Sequence, residues 1–135
     1  MTTTHQNVVA RAAAVVGLAG IGLIHLLDIP GKFTDAPYMG WLYVGLIVGS
    51  VGVAAVLIER HDRRAWAAAA AVAVAPLVGY VLTRTVGLPQ ARDDIGNWAE
   101  PLGLASLFVE GLVLFVSLGA LRPLPARAAA RAATA

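Results

Sequence analysis

Four apolar runs of about 20 residues each dominate this chain, and each is long enough to cross roughly 30 Å of hydrocarbon as a helix. They fall at about residues 8–27, 39–58, 65–86 and 101–121, leaving only short connections and an Ala/Arg-rich tail over 122–135. In lipid a spanning segment must satisfy its backbone polar groups internally, so apolar runs of this length fold as helices. Charged residues make up 13% of the chain, against about 25% in an ordinary soluble domain. The expectation is an all-α, integral membrane four-helix bundle in one domain, with sequential helices antiparallel and the tail disordered on the cytoplasmic side.

Topology follows from counting basic residues. Arg11, Arg60, Arg63, Arg64, Arg122, Arg127 and Arg131 place seven of the ten on the side that holds both termini. Lys32, Arg84 and Arg92 share the other side with Asp28, Asp35, Asp93, Asp94 and Glu100. The positive-inside rule then gives N-in/C-in insertion in the cytoplasmic membrane, with two Pro/Gly-rich loops outside. A weak parallel repeat, HLLDIP from His25 against RTVGLP from Arg84, suggests two tandem helical hairpins.

The first connection, DIPGKFTDAPYMG, reads as an interfacial loop, with Phe33, Tyr38 and Trp41 at headgroup level. Pro76 removes a backbone bond inside the third run and predicts a kink there, beside Gly79. Gly17 and Gly20 in the first run and Gly45, Gly49 and Gly52 in the second read as faces for close helix packing.

Ionisable groups within the spans carry what chemistry the chain has, because a charge there costs about 2.5–3.5 kcal/mol on insertion scales. Counted back from Pro30 and Pro89, His25 and Arg84 share a depth of roughly 7 Å at 1.5 Å per residue, and Glu110 lies roughly 13 Å beyond Pro101. Arg84 and Glu110 are expected to neutralise each other, with Tyr80 donating its hydroxyl to the pair and Ser106 one turn above Glu110. One reading makes this an ion pair that fixes register, with His25 reaching toward the surface. Another makes His25, Tyr80, Arg84, Ser106 and Glu110 the lining of an outward polar pocket, with Asp28, Asp93, Asp94 and Trp98 on the loops above it.

A third reading, a metal site from His25, Asp28 and a loop carboxylate, lacks any HxxxH or ExxH spacing. His5 and His61 fall on the cytoplasmic side, so a bis-histidine haem cannot be built within one chain, and no cofactor is expected. The chain has no cysteine, which removes disulfides, iron–sulfur ligation and thiol catalysis. The net charge of +2, with arginines beside membrane ends, argues against nucleic acid as a partner. The expected partners are the lipid bilayer and a second copy or another membrane protein at the glycine faces. No nucleophile elbow, P-loop or dinucleotide fingerprint occurs. A non-enzymatic binding or accessory subunit is expected first, and a metal- or proton-handling redox or transport component using His25 and Glu110 is the alternative.

The segments GYVLTRTVGLP and EPLGLASLFVE, with GLIHLLDIPGKF and PYMGWLY, resemble a group of small four-helix integral membrane proteins common in high-GC Gram-positive bacteria. The resemblance covers most of residues 17–115, and its most specific piece is Arg84 to Pro89. It implies a bacterial four-helix membrane fold and the polar set above, and it supplies no reaction. Members often carry a second histidine after the first-loop proline and an acid after the EPxGL element. Here Lys32 or its neighbours and Ser106 hold those places, which weakens a metal site.

Overall fold

The computed structural model describes residues 3–60 and 62–122, with side-chain surroundings from residue 7 onward. The Ala/Arg-rich tail from Pro123 and the surroundings of His5 and His61 lie outside the described residues. Four helices make up the fold: α1 (Thr3–Asp35), α2 (Pro37–Glu59), α3 (Arg63–Thr85) and α4 (Pro101–Leu121). All four are long and apolar enough to cross a membrane, with mean hydropathy between 1.9 and 2.3 over their best windows. Phe108 and Phe115, both 75% exposed, stand seven residues apart on one face of α4, as lipid-facing side chains of a span do.

The segment read as the first loop is helix. α1 runs straight through Pro30 and Gly31 to Asp35, and one residue, Ala36, separates it from α2. Pro30 lacks an N–H to donate to Leu26, a loss that a spanning helix tolerates. Proline at 37 is different in effect, because it pushes the residue before it out of helical geometry, and Ala36 has φ −149° and ψ 88°. Pro37 then occupies the first turn of α2, where a missing N–H is no loss. The Ala36 N–H donates to the Lys32 carbonyl at 2.9 Å, and the Ala36 carbonyl accepts from Met39 N at 2.8 Å. The corner is therefore closed by backbone bonds and buried. α3 likewise continues through Pro76 to Thr85.

The helices pack in the order α2, α1, α4, α3, so α1 and α4 form the central pair and α2 and α3 meet only sparsely. Gly17 and Gly20 make the α1–α4 contact possible. A Cβ on Gly20 would stand 2.8 Å from Val109 Cγ1, and one on Gly17 would overlap Val113. By contrast, a Cβ on Gly45 or Gly52 would meet nothing within 4 Å, so of the three glycines read as a packing face on α2 only Gly49, where a Cβ would touch Val72 Cγ2 at 3.9 Å, faces a neighbour inside the chain.

The apolar core gathers Ala14, Leu18, Ile21, Leu57, Trp66 and Val113 in the half of the bundle nearest the α2–α3 connection. That end is tied by Asp62, whose side chain accepts from Ala65 N at 2.9 Å as the N-cap of α3, and by Arg63 Nη1 donating to the Leu121 carbonyl at 2.9 Å. The other half, capped by Ala36 and the 86–100 loop, is where the buried side chains of His25, Thr83, Arg84, Ser106 and Glu110 collect.

Candidate functional site

Between the helices of that half lies a cavity of about 740 Å³, in the usual range for small-molecule sites. Its walls are mostly apolar, from Leu46, Val72 and Ala75 among others, and its polar groups come from α1, α3, α4 and the loop. Because α1 extends to Asp35, His25 lies ten residues from its end, roughly 15 Å deep and twice the depth expected from Pro30.

His25 is buried. Its Nδ1 lies 2.9 Å from the Ile21 carbonyl, and since a carbonyl only accepts, Nδ1 carries the hydrogen of that bond. Nε2 then faces Glu110, 3.9 Å from Oε1. Glu110 is 1% exposed, Ser106 donates to its Oε1, and its Oε2 has no hydrogen-bond partner among the described residues. The His25 ring also packs edge-on against Tyr43 at 4.6 Å between centroids. Tyr43 donates its hydroxyl to Asp28 Oδ2 at 3.2 Å.

Arg84 does not pair with Glu110. Its Nη1 stands 3.4 Å from Asp94 Oδ2 and its Nη2 4.0 Å from Glu100 Oε2. Nε donates to the Asn97 carbonyl at 3.1 Å, and Nη1 donates to Thr83 Oγ1 at 2.9 Å. The physical reason is the fold of the connection from α3 to α4. Positive φ at Gly87 (74°), Gln90 (62°) and Gly96 (80°) turns the chain back over the helix ends, and Gly96 N donates to the Arg84 carbonyl at 2.9 Å. Acids of the loop therefore reach the guanidinium at the end of its own helix.

Tyr80 serves the same clasp and not Glu110. Its ring lies beneath the guanidinium at 4.3 Å, and its hydroxyl donates to the Trp98 carbonyl at 2.8 Å. Trp98 packs edge-on to Tyr80 and is outside the cavity lining, as is the exposed Asp93. Glu100 caps α4, with Oε1 accepting from Leu102 N at 2.9 Å and Oε2 from Gly103 N at 2.5 Å. The acid before Pro101 was the sequence signal for that cap.

Lys32 joins the two groups. Its Nζ lies 3.7 Å from Asp28 Oδ2 and 3.9 Å from Asp94 Oδ2. Polar side chains thus run from Arg84 through Asp94, Lys32, Asp28 and Tyr43 to His25 and Glu110. Lys32 and Tyr43 were missed as site residues. Lys32 looked like loop charge, and Tyr43 sits in a run so uniformly apolar that its register gave no inward face. Among the described residues no group of three His, Asp or Glu side chains converges as a metal cage. No protein-family model, no curated protein and no solved structure matches this chain.

Proposed function

We propose that the protein is a non-enzymatic binding protein of the cytoplasmic membrane, with both termini inside, whose inter-helical cavity holds a small amphipathic ligand. The observation that carries this reading is the cavity itself: apolar walls of Leu46, Val72 and Ala75 lead to a buried polar end at His25 and Glu110. That division suits a molecule with an apolar body and one polar head. Against nucleophilic catalysis, no hydroxyl of the described residues hydrogen-bonds His25, and Ser106 is turned to Glu110 on its own helix.

The test is mass spectrometry of organic extracts from purified wild type and from Ala75→Leu, which narrows the cavity wall. One compound or homologous series should be retained by the wild type and depleted in the variant. Identical extracts would refute the reading.

The approach of His25 to Glu110 favours a second reading, a proton-handling transport component. Proton flux into proteoliposomes that Glu110→Gln abolishes would select it.

A further inference from the structure

We propose that the ligand enters sideways from the bilayer, between α2 and α3, and that it carries a hydroxyl which bridges His25 Nε2 and the Glu110 carboxyl. This deepens the binding-protein reading and rests on it.

The route follows from the packing order. α2 and α3 close the ring of four helices, and their seam is the sparsest between neighbours in it. The cavity runs along that seam, where Leu42, Gly45, Ala71 and Ala75 line it while also being exposed on the side of the bundle. A Cβ on Gly45 or on Gly79, across the seam, would meet nothing within 4 Å. Toward the core the seam narrows, and a Cβ on Gly49 would touch Val72 Cγ2 at 3.9 Å. At the loop end the cavity is roofed by the Arg84 clasp, the Lys32 bridge to Asp94, and Tyr38 donating to the Pro89 carbonyl at 2.7 Å. The side is thus open where the end is fastened.

The head group follows from the inner end. His25 Nε2 and Glu110 Oε1 stand 3.9 Å apart, beyond direct hydrogen bonding. An oxygen about 2.8 Å from both fits that gap with an angle of roughly 90° between the two bonds. Burial among apolar helices favours a net-neutral pair, which holds one further proton beyond Nδ1–H, on Nε2 or on the carboxyl. In the first case Nε2 donates to the ligand oxygen and the ligand hydroxyl donates to Glu110. In the second Glu110 donates to the ligand oxygen and the hydroxyl donates to Nε2.

Only a group that both gives and takes one bond satisfies either arrangement, and an alcohol or phenol does so. An ether only accepts and an ammonium only donates. A carboxylate would face the Glu110 carboxyl, and any permanently charged head would meet the cost of the apolar route. The ligand class is therefore an apolar molecule with a neutral hydroxyl head.

The experiment uses the full chain in phosphatidylcholine nanodiscs and a decanol with a mid-chain diazirine, its photolabels located by peptide mass spectrometry. Labels are expected on Leu46, Val72 and Ala75. n-Decanol should displace them about tenfold more effectively than decyl methyl ether, the ratio expected when one buried partner is left unpaired. His25→Phe combined with Glu110→Leu should abolish that preference. Gly79→Leu, whose Cβ would meet nothing within 4 Å and whose branched end would extend into the seam, should cut labelling at least fivefold while folded yield stays at the wild-type level.

Equal displacement by alcohol and ether overturns the hydroxyl bridge and leaves the binding-protein reading standing. Undiminished labelling of Gly79→Leu overturns the lateral route. Labels confined to lipid-facing residues such as Phe108 and Phe115, with none in the cavity, overturn the binding-protein reading itself.

Discussion

Replacing Arg84 by methionine keeps most of the side chain's length and removes the guanidinium's ties to the 86–100 loop, leaving the Tyr80 hydroxyl bond to the Trp98 carbonyl and the Gly96 N–H bond to the carbonyl of residue 84. One charged hydrogen bond to the loop disappears, to the Asn97 carbonyl, worth about 1.5–3 kcal/mol net. The bond to Thr83 Oγ1 and the stacking on Tyr80 hold the guanidinium against its own helix and do not tie the loop directly. Asp94 and Glu100 are 24% and 34% exposed, so water screens those ion pairs and they contribute about 0–1 kcal/mol each. A total near 2 kcal/mol, toward the low end of these ranges, corresponds to about a thirtyfold rise in the open population of the loop.

Hydrogen exchange reads this directly, because Ile95, Gly96 and Asn97 all donate backbone N–H bonds within the clasp. Their amides should exchange about thirtyfold faster, while those of α4 around Glu110 stay at the wild-type rate. A double-mutant cycle with Glu110→Gln completes the test, since the two side chains share no partner and their effects should add within about 0.5 kcal/mol. Strong coupling, or faster exchange centred on Glu110, would refute the clasp and restore an Arg84–Glu110 pair.

Glu110→Gln alone should leave folded yield in detergent near wild type, because the buried carboxyl has Ser106 as its close partner and an amide retains that bond; a large loss of yield would count against this account of the site. Gly20→Val should destabilise by about 1–3 kcal/mol through overlap with Val109, as read by thermal denaturation, and adding Val109→Ala should recover much of it. Gly45→Ala, which meets nothing, is its control and should be neutral or slightly stabilising. The chain has no cysteine, so single cysteines at Arg92 and Asp62 can be labelled from outside intact cells: the first should react and the second should not, and the reverse would invert the orientation.

The four-helix fold was legible because length and apolarity alone decide how a chain crosses hydrocarbon. The end of α1 was not, since Pro30, Gly31 and two aspartates have the composition of a loop. The distinguishing fact is positional: Pro37 disrupts Ala36, whereas Pro30 forgoes a single bond. The site was legible as a set of buried polar residues, and Ser106, Glu110 and His25 do come together. Arg84 was misassigned because depth along a helix says nothing about a fifteen-residue connection folding back, which depends on residues of positive φ at Gly87, Gln90 and Gly96. Periodicity carries no trace of that turn.

The one-residue corner at Ala36 bears on how the bundle is made. With Ala36 closed by its own backbone bonds, α1 and α2 are expected to form early as one body, a hairpin, before the rest of the bundle joins it. α3 and α4, joined by the long clasped loop, form a second such body. Assembly is then expected to be the docking of these two hairpins, chiefly α4 onto α1 through Gly17 and Gly20 against Val109 and Val113, with α2 and α3 meeting more sparsely. Substitutions at those glycines should therefore slow the joining of two inserted halves and leave insertion itself unchanged.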